Sequence, residues 1–190
     1  GTCMEIVDRL YDGVFETAQA VMHTAGQSGP MSYAGSGTNA LDRGVEALAY
    51  AWAAMSDVPE EALWERRFGS ATIRLRKRYR LVPRGVAVCF ACATFPTWNA
   101  YPAMLASLAT GNAVIVKPHP TAILPMALAV RTCRAVLHVH SARPSLFSGP
   151  LSSSAWIAIN RCPRIAPNSR ASWPTCSCLP STLRRLHCAS

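Results

Sequence analysis

The chain has 190 residues, half of them hydrophobic, and a formal net charge of +9, enough for one domain, or one and a fraction, with a sizeable core. No apolar run reaches the roughly 18 residues of a membrane-spanning helix, and none resembles a signal peptide, so a cytoplasmic protein with no membrane partner is expected. All ten acidic residues fall at or before Glu65, beside only Arg9 and Arg43, whereas the other 17 basic residues follow without a single acid. Asymmetry of this kind usually means a polyanion partner.

Residues 3–24 carry apolar side chains at three- and four-residue steps (Ile6, Leu10, Val14, Val21) and predict one amphipathic helix. Residues 26–39, rich in Gly, Ser, Pro and Thr, predict a long irregular connection. Thr38, Asn39 or Asp42 is a candidate cap for a second helix over 41–55, and Pro59-Glu60-Glu61 reads as the start of a short helical turn. Residues 74–82 alternate basic and apolar, the period of an exposed strand. Charge on such a strand blocks edge-to-edge aggregation. The rival reading is an anion or nucleic-acid stripe, which the absence of a nucleic-acid motif and of aromatics beyond Tyr79 disfavours.

The most informative stretch is 81–118. Val86–Phe90 predicts a buried strand behind the turn pair Arg84-Gly85, and 113–116 predicts a second. Between them lie a Pro-rich polar-aromatic corner (94–99) and a helix over 102–110. Pro102 is placed in its first turn, and Gly111-Asn112 is its stop signal. Strand, helix, strand in this order is a parallel unit with a crossover helix, so the fold class is α/β: a partial Rossmann-like sheet with flanking helices, preceded by helices and a basic edge strand. Asn99 and Lys117 both follow the carboxyl end of a strand, the edge where open α/β sheets bind ligands. A further helix, 121–137, supplies the next crossover.

Beyond about residue 138 periodicity stops. Residues 138–190 hold eleven Ser, six Pro, six Arg and four Cys and no Asp, Glu or Lys. The expectation is a disordered tail rather than a domain, with a composition that fits a change of reading frame. Cys89 and Cys92 lie in an apolar run, where Cys acts as a small hydrophobe. Neither a disulfide framework nor a metal site is expected.

Pro96-Thr97-Trp98-Asn99, then Gly111-Asn112 and Lys117-Pro118, resembles the N-terminal, cofactor-binding portion of an aldehyde dehydrogenase. Residues 94–102, 108–112 and 116–120, with Val21-Met22-His23-Thr24, Gly26-Gln27 and Asp42-Arg43-Gly44, are similar to the phenylacetic acid degradation (PaaN-type) branch. The resemblance spans about 10–137 and implies domain limits of 1–137. It implies a small-molecule aldehyde substrate, NAD or NADP as cofactor and homo-oligomeric assembly. It assigns Asn99 to the oxyanion site, a role suited to an amide because it donates without titrating. It assigns Lys117 to the cofactor's adenosine ribose, and Thr97 and Trp98 to the same cleft. Taken alone, Asn99 would be a loop residue satisfying its own turn and Lys117 a solvated strand-end charge. Many members carry an acid three positions after this Lys; here Pro120 stands there and leaves NADP as plausible as NAD. The nucleophilic Cys, the glycine-rich nicotinamide turn and the general-base Glu that this chemistry requires have no counterparts in the 190 residues, so the chain as it stands is expected to be an inactive fragment.

Overall fold

A computed structural model describes residues 1–140 and 157–159; the disorder expected over 138–190 therefore falls largely outside the described residues. The first helical stretch is two helices rather than one. α1 (Thr2–Asp12) and α2 (Val14–Ala25) meet at Gly13, a residue that weakens helix propagation. The apolar stripe runs on across the break, with Ile6, Leu10, Val14 and Val21 all buried.

The irregular connection expected over 26–39 shrinks to residues 26–28. A short turn, α3 (Gly29–Met31), runs into a π-helix, Ser32–Thr38, and that into α4 (Asn39–Ser56). Gly and Ser are poor helix formers, but here their smallness is what packing needs. A Cβ at Gly37 would lie 2.9 Å from the Val14 side chain, and one at Gly35 would lie 2.5 Å from the Phe95 ring. No side chain caps α4; Thr38 Oγ1 instead donates to the Ala34 carbonyl.

The helical turn expected at 59–61 is absent. Glu61 opens β1 (Glu61–Phe68), which pairs antiparallel with β2 (Ala71–Arg78). The exposed strand expected over 74–82 runs instead over Ala71–Arg78, with residues 79–82 beyond its end. Both strands are solvent-exposed along nearly their whole length. Their register places charge on one face, where Arg74 pairs with Glu65 at 2.7 Å and Arg76 with Glu61 at 2.9 Å. The opposite face carries Trp64, Phe68, Ile73 and Leu75, all exposed, with Arg66 lying over the Phe68 ring.

β3 (Val86–Phe90) and β4 (Ala113–Lys117) are parallel neighbours, joined through α5 (Pro96–Ala109). The helix opens six residues earlier than the sequence suggests. Pro96 occupies its first turn and Pro102 lies inside it, where the missing N–H removes one ladder bond. α6 (Ile123–His140) follows. A three-residue strand, β5 (Ile157–Ile159), pairs antiparallel with β4, so the far edge of β4 is partly paired rather than open.

Expectation and structure differ in another respect. β3 is not buried on both sides. Cys89, Val114 and Val116 face the helices and are buried, while Val86 and Phe90 on the other face are 63% and 67% exposed. The core lies on one side of the sheet, where Tyr101, Met104, Leu105 and Leu108 of α5 meet Ile6, Leu10, Met126 and Val130. α4 approaches α5 closely at Gly44, where a Cβ would come within 2.7 Å of Leu105.

Asn112 closes the unit. Its Oδ1 accepts from the Gly85 N–H at 3.0 Å and its Nδ2 donates to Thr110 Oγ1 at 2.9 Å, tying the entry of β3 to the end of α5. Gly111, at φ 81, supplies the left-handed step between them. Replacing Asn112 with Ala loses both bonds and is expected to lower stability by ~1–3 kcal/mol; urea denaturation of the two proteins, compared at equal slope, measures it.

Candidate functional site

The candidate site is the carboxyl edge of the parallel pair. Phe90 is in register with Lys117, and the Ala91 N–H donates to the Lys117 carbonyl at 3.0 Å, so both strands end at one level. From that level the chain turns through 91–95 into α5. Thr97, Trp98 and Asn99 lie in the first turn of α5, where the Asn99 N–H donates to the Phe95 carbonyl at 3.1 Å. The topology thus brings the four sequence-predicted residues to one edge, in unlike settings. Trp98 is 41% exposed. The Asn99 side chain is exposed and makes no hydrogen bond among the described residues. Lys117 is half-buried, and its Nζ donates to the Pro118 carbonyl at 3.0 Å, leaving two of its three protons for another acceptor. Thr97 is fully buried, and its Oγ1 donates to the Ser36 carbonyl at 2.5 Å. That bond ties the first turn of α5 to the segment around Ser36.

Sequence reasoning misses what holds this corner from below. Gln27 Nε2 donates to the Thr94 carbonyl, and Gln27 Oε1 accepts from Ser32 Oγ at 3.3 Å. Gly35 packs on Phe95. These residues sit in a stretch whose composition reads as loop; only its unusual density of small residues signals close approach.

Two of the thiols, Cys89 and Cys133, are buried and unsuited to nucleophilic chemistry. Burial pushes the Cys89 thiol up, and burial also pushes Cys133 up to about 12. Cys92, at the corner, is partly exposed, and its thiol hydrogen-bonds the Phe95 carbonyl at 3.3 Å. Among the described residues all cysteines are free, no group of three or more His, Cys, Asp or Glu is placed to hold a metal, and no helix is long and apolar enough to cross a membrane. The basic strand offers little free charge on its polar face, since Arg74, Arg76 and Arg78 turn toward Glu65 and Glu61.

A solved structure, the NAD-dependent aldehyde dehydrogenase from Burkholderia multivorans, superposes on the chain with a TM-score of 0.71 and 49% sequence identity over 73% of its length. The likeness is to the aldehyde dehydrogenases. The chain spans 25% of that enzyme's length. No protein-family profile matches the sequence, and no curated protein does. At this identity the α/β aldehyde dehydrogenase architecture is shared, with β3, α5 and β4 as its parallel unit.

Two outcomes are expected. Thr97→Val, which keeps the shape but leaves the Ser36 carbonyl without its buried donor, should cost ~1–3 kcal/mol, while Thr97→Ser should cost less; chemical denaturation compares them. Stability should also fall at high pH. Cys133 is held neutral to about 12 when folded but ionises near 9.0 when unfolded, and burial raises the Tyr101 hydroxyl too. The Cys133 contribution is complete below pH 9 and is lost as pH rises toward 12, by about 1.4 kcal/mol per pH unit; the Tyr101 contribution begins to fall only above its ordinary value of 10.0. Thermal melts across pH 7–11 should show this slope, and Cys133→Ala should flatten it.

Proposed function

We propose that the chain is a portion of an NAD(P)-dependent aldehyde dehydrogenase and supplies part of its cofactor cleft and one oxyanion donor. The observation that carries this reading is the 49% identity and common fold with an NAD-dependent aldehyde dehydrogenase, joined to a topology in which β4 ends at Lys117 and the chain leaves the adjacent end of β3 toward Asn99. The edge fits a nucleotide. Lys117 has protons to offer a ribose, Trp98 presents an exposed ring in the first turn of α5, and no acidic residue follows Glu65 to repel a 2′-phosphate. Bound cofactor would supply the hydride acceptor. Asn99 would direct its free amide at the aldehyde oxygen, where donors aimed at developing negative charge contribute most.

The finer assignments rest on the sequence. The PaaN-type motifs support an aldehyde of aromatic-acid breakdown, and a cytoplasmic location goes with that reading. The compositional break near residue 138 supports a change of reading frame there, with 1–137 as the family-like domain. The segregated apolar face of the β1–β2 hairpin supports association with further copies or with the remainder of such an enzyme. The 190 residues hold no Glu after Glu65 to act as general base, so the chain itself should oxidise no aldehyde.

Two measurements test this. Absorbance at 340 nm, with aliphatic and aromatic aldehydes and either NAD or NADP, should show no turnover. Titrating NAD into 15N-labelled chain should shift resonances at 97–99 and 117, and Lys117→Ala should weaken the effect. Shifts confined to 74–84 that vanish with salt would instead favour a polyanion-binding role.

A further inference from the structure

The corner that carries Trp98 and Asn99 is fastened from one direction, by a stretch far away in sequence. Ser36 accepts from Thr97 across 61 residues, and Gln27 donates to Thr94 across 67. Gly35 presses on the Phe95 ring so closely that a Cβ would sit 2.5 Å from it. The residues contacted are 94, 95 and 97, the three that lead the backbone into the Asn99 turn. Two of the attachments come from the π-helix, and the third from Gln27, which is bonded to the first residue of that helix through Ser32 Oγ. π-Helical turns are rare and are frequent at functional sites, and this one keeps a second irregularity: Ser36 Oγ is buried with no hydrogen-bond partner among the described residues. A regular helix through 32–38 would rotate Gly35 and Ser36 relative to the corner.

We propose that Gln27, Gly35 and Ser36 are positioning residues for the Asn99 amide, and that the π-helix Ser32–Thr38 exists to present Gly35 and Ser36 and, through Ser32, to hold Gln27. The meaning of Asn99 rests on the proposed aldehyde dehydrogenase reading; the clamp itself does not. It acts through backbone. Fixing Thr94, Phe95 and Thr97 fixes the Phe95 carbonyl that receives the Asn99 N–H, and with it the direction in which the exposed amide leaves the helix. The same carbonyl receives the Cys92 thiol, so Cys92 reports on the corner, while buried Cys89 and Cys133 report on general opening.

The full chain and its Gln27→Ala and Gly35→Ala variants are treated with iodoacetamide, and alkylation is timed at each cysteine by peptide mass spectrometry. The Asn99 side-chain amide is followed by 1H–15N correlation. Loosening the corner should raise the Cys92 rate roughly five-fold or more, the scale of one lost hydrogen bond, with Cys89 and Cys133 unchanged and the Asn99 amide resonance displaced. Gly35→Ala combined with Phe95→Leu, which makes room for the added methyl, should return Cys92 and Asn99 toward the parent. Equal acceleration at all three cysteines in both single variants would reduce these residues to general stability and overturn the proposal. So would an Asn99 resonance that stays in place while Cys92 speeds up. If the clamp behaves as expected but NAD leaves 97–99 and 117 unshifted, the positioning stands and the cofactor assignment falls.

Discussion

Two parallel strands cannot be joined by a tight turn, and that restriction governs everything built around β3 and β4. The connection must leave one end of the sheet and return to the other, and α5 is the element that does so. It therefore takes on several tasks at once. Its buried side, Tyr101 through Leu108, is the centre of the core. Its first turn is the candidate site, and its end is secured by Asn112. α4 lies against it through the space left at Gly44. One helix thus links the site to the stability of the whole, so a substitution in its buried face acts on both.

What the sequence discloses and what it hides divide along physical lines. The strand–helix–strand order was legible because β-branched runs and a Gly-Asn stop are local signals, and the strand limits at Val86–Phe90 agree with the structure. The start of α5 was not, because Pro96 and Pro102 are equally good first-turn residues, and only the packing of Pro96 and Thr97 under the corner decides between them. The π-helix was hidden for the opposite reason. Ser-Tyr-Ala-Gly-Ser-Gly-Thr has the composition of a loop, and its helical state depends on contacts with Val14 and Phe95 that no local pattern encodes. Glu60-Glu61 suggested a helix start; the antiparallel partner in Arg76 and Arg78 made it a strand.

The site residues occupy unlike settings for related reasons. Lys117 ends β4, and Trp98 and Asn99 open α5 beyond the carboxyl end of β3 with exposed side chains. Burial and its bond to Ser36 turn Thr97 inward. A motif identifies which residues occur together but not which way each side chain faces, and here that orientation is set by a segment some sixty residues upstream.

The β1–β2 hairpin carries its own alignment instructions. Glu61 reaches both Arg76 and Arg78, and Glu65 reaches Arg74, so acid on one strand is matched to base on the other at a fixed offset. A slip of one position would bring Trp64 and Phe68 of β1 onto the face of the arginines and set Glu65 opposite Leu75 or Ile73, because side chains alternate with a period of two. In a two-stranded ribbon with almost no burial to hold it, those ion pairs decide the pairing more than they strengthen it. They are exposed, so dissolved salt weakens them. Ionic strength therefore governs the fidelity of this ribbon, whereas the helices and parallel strands, organised by buried apolar contact, are largely indifferent to it.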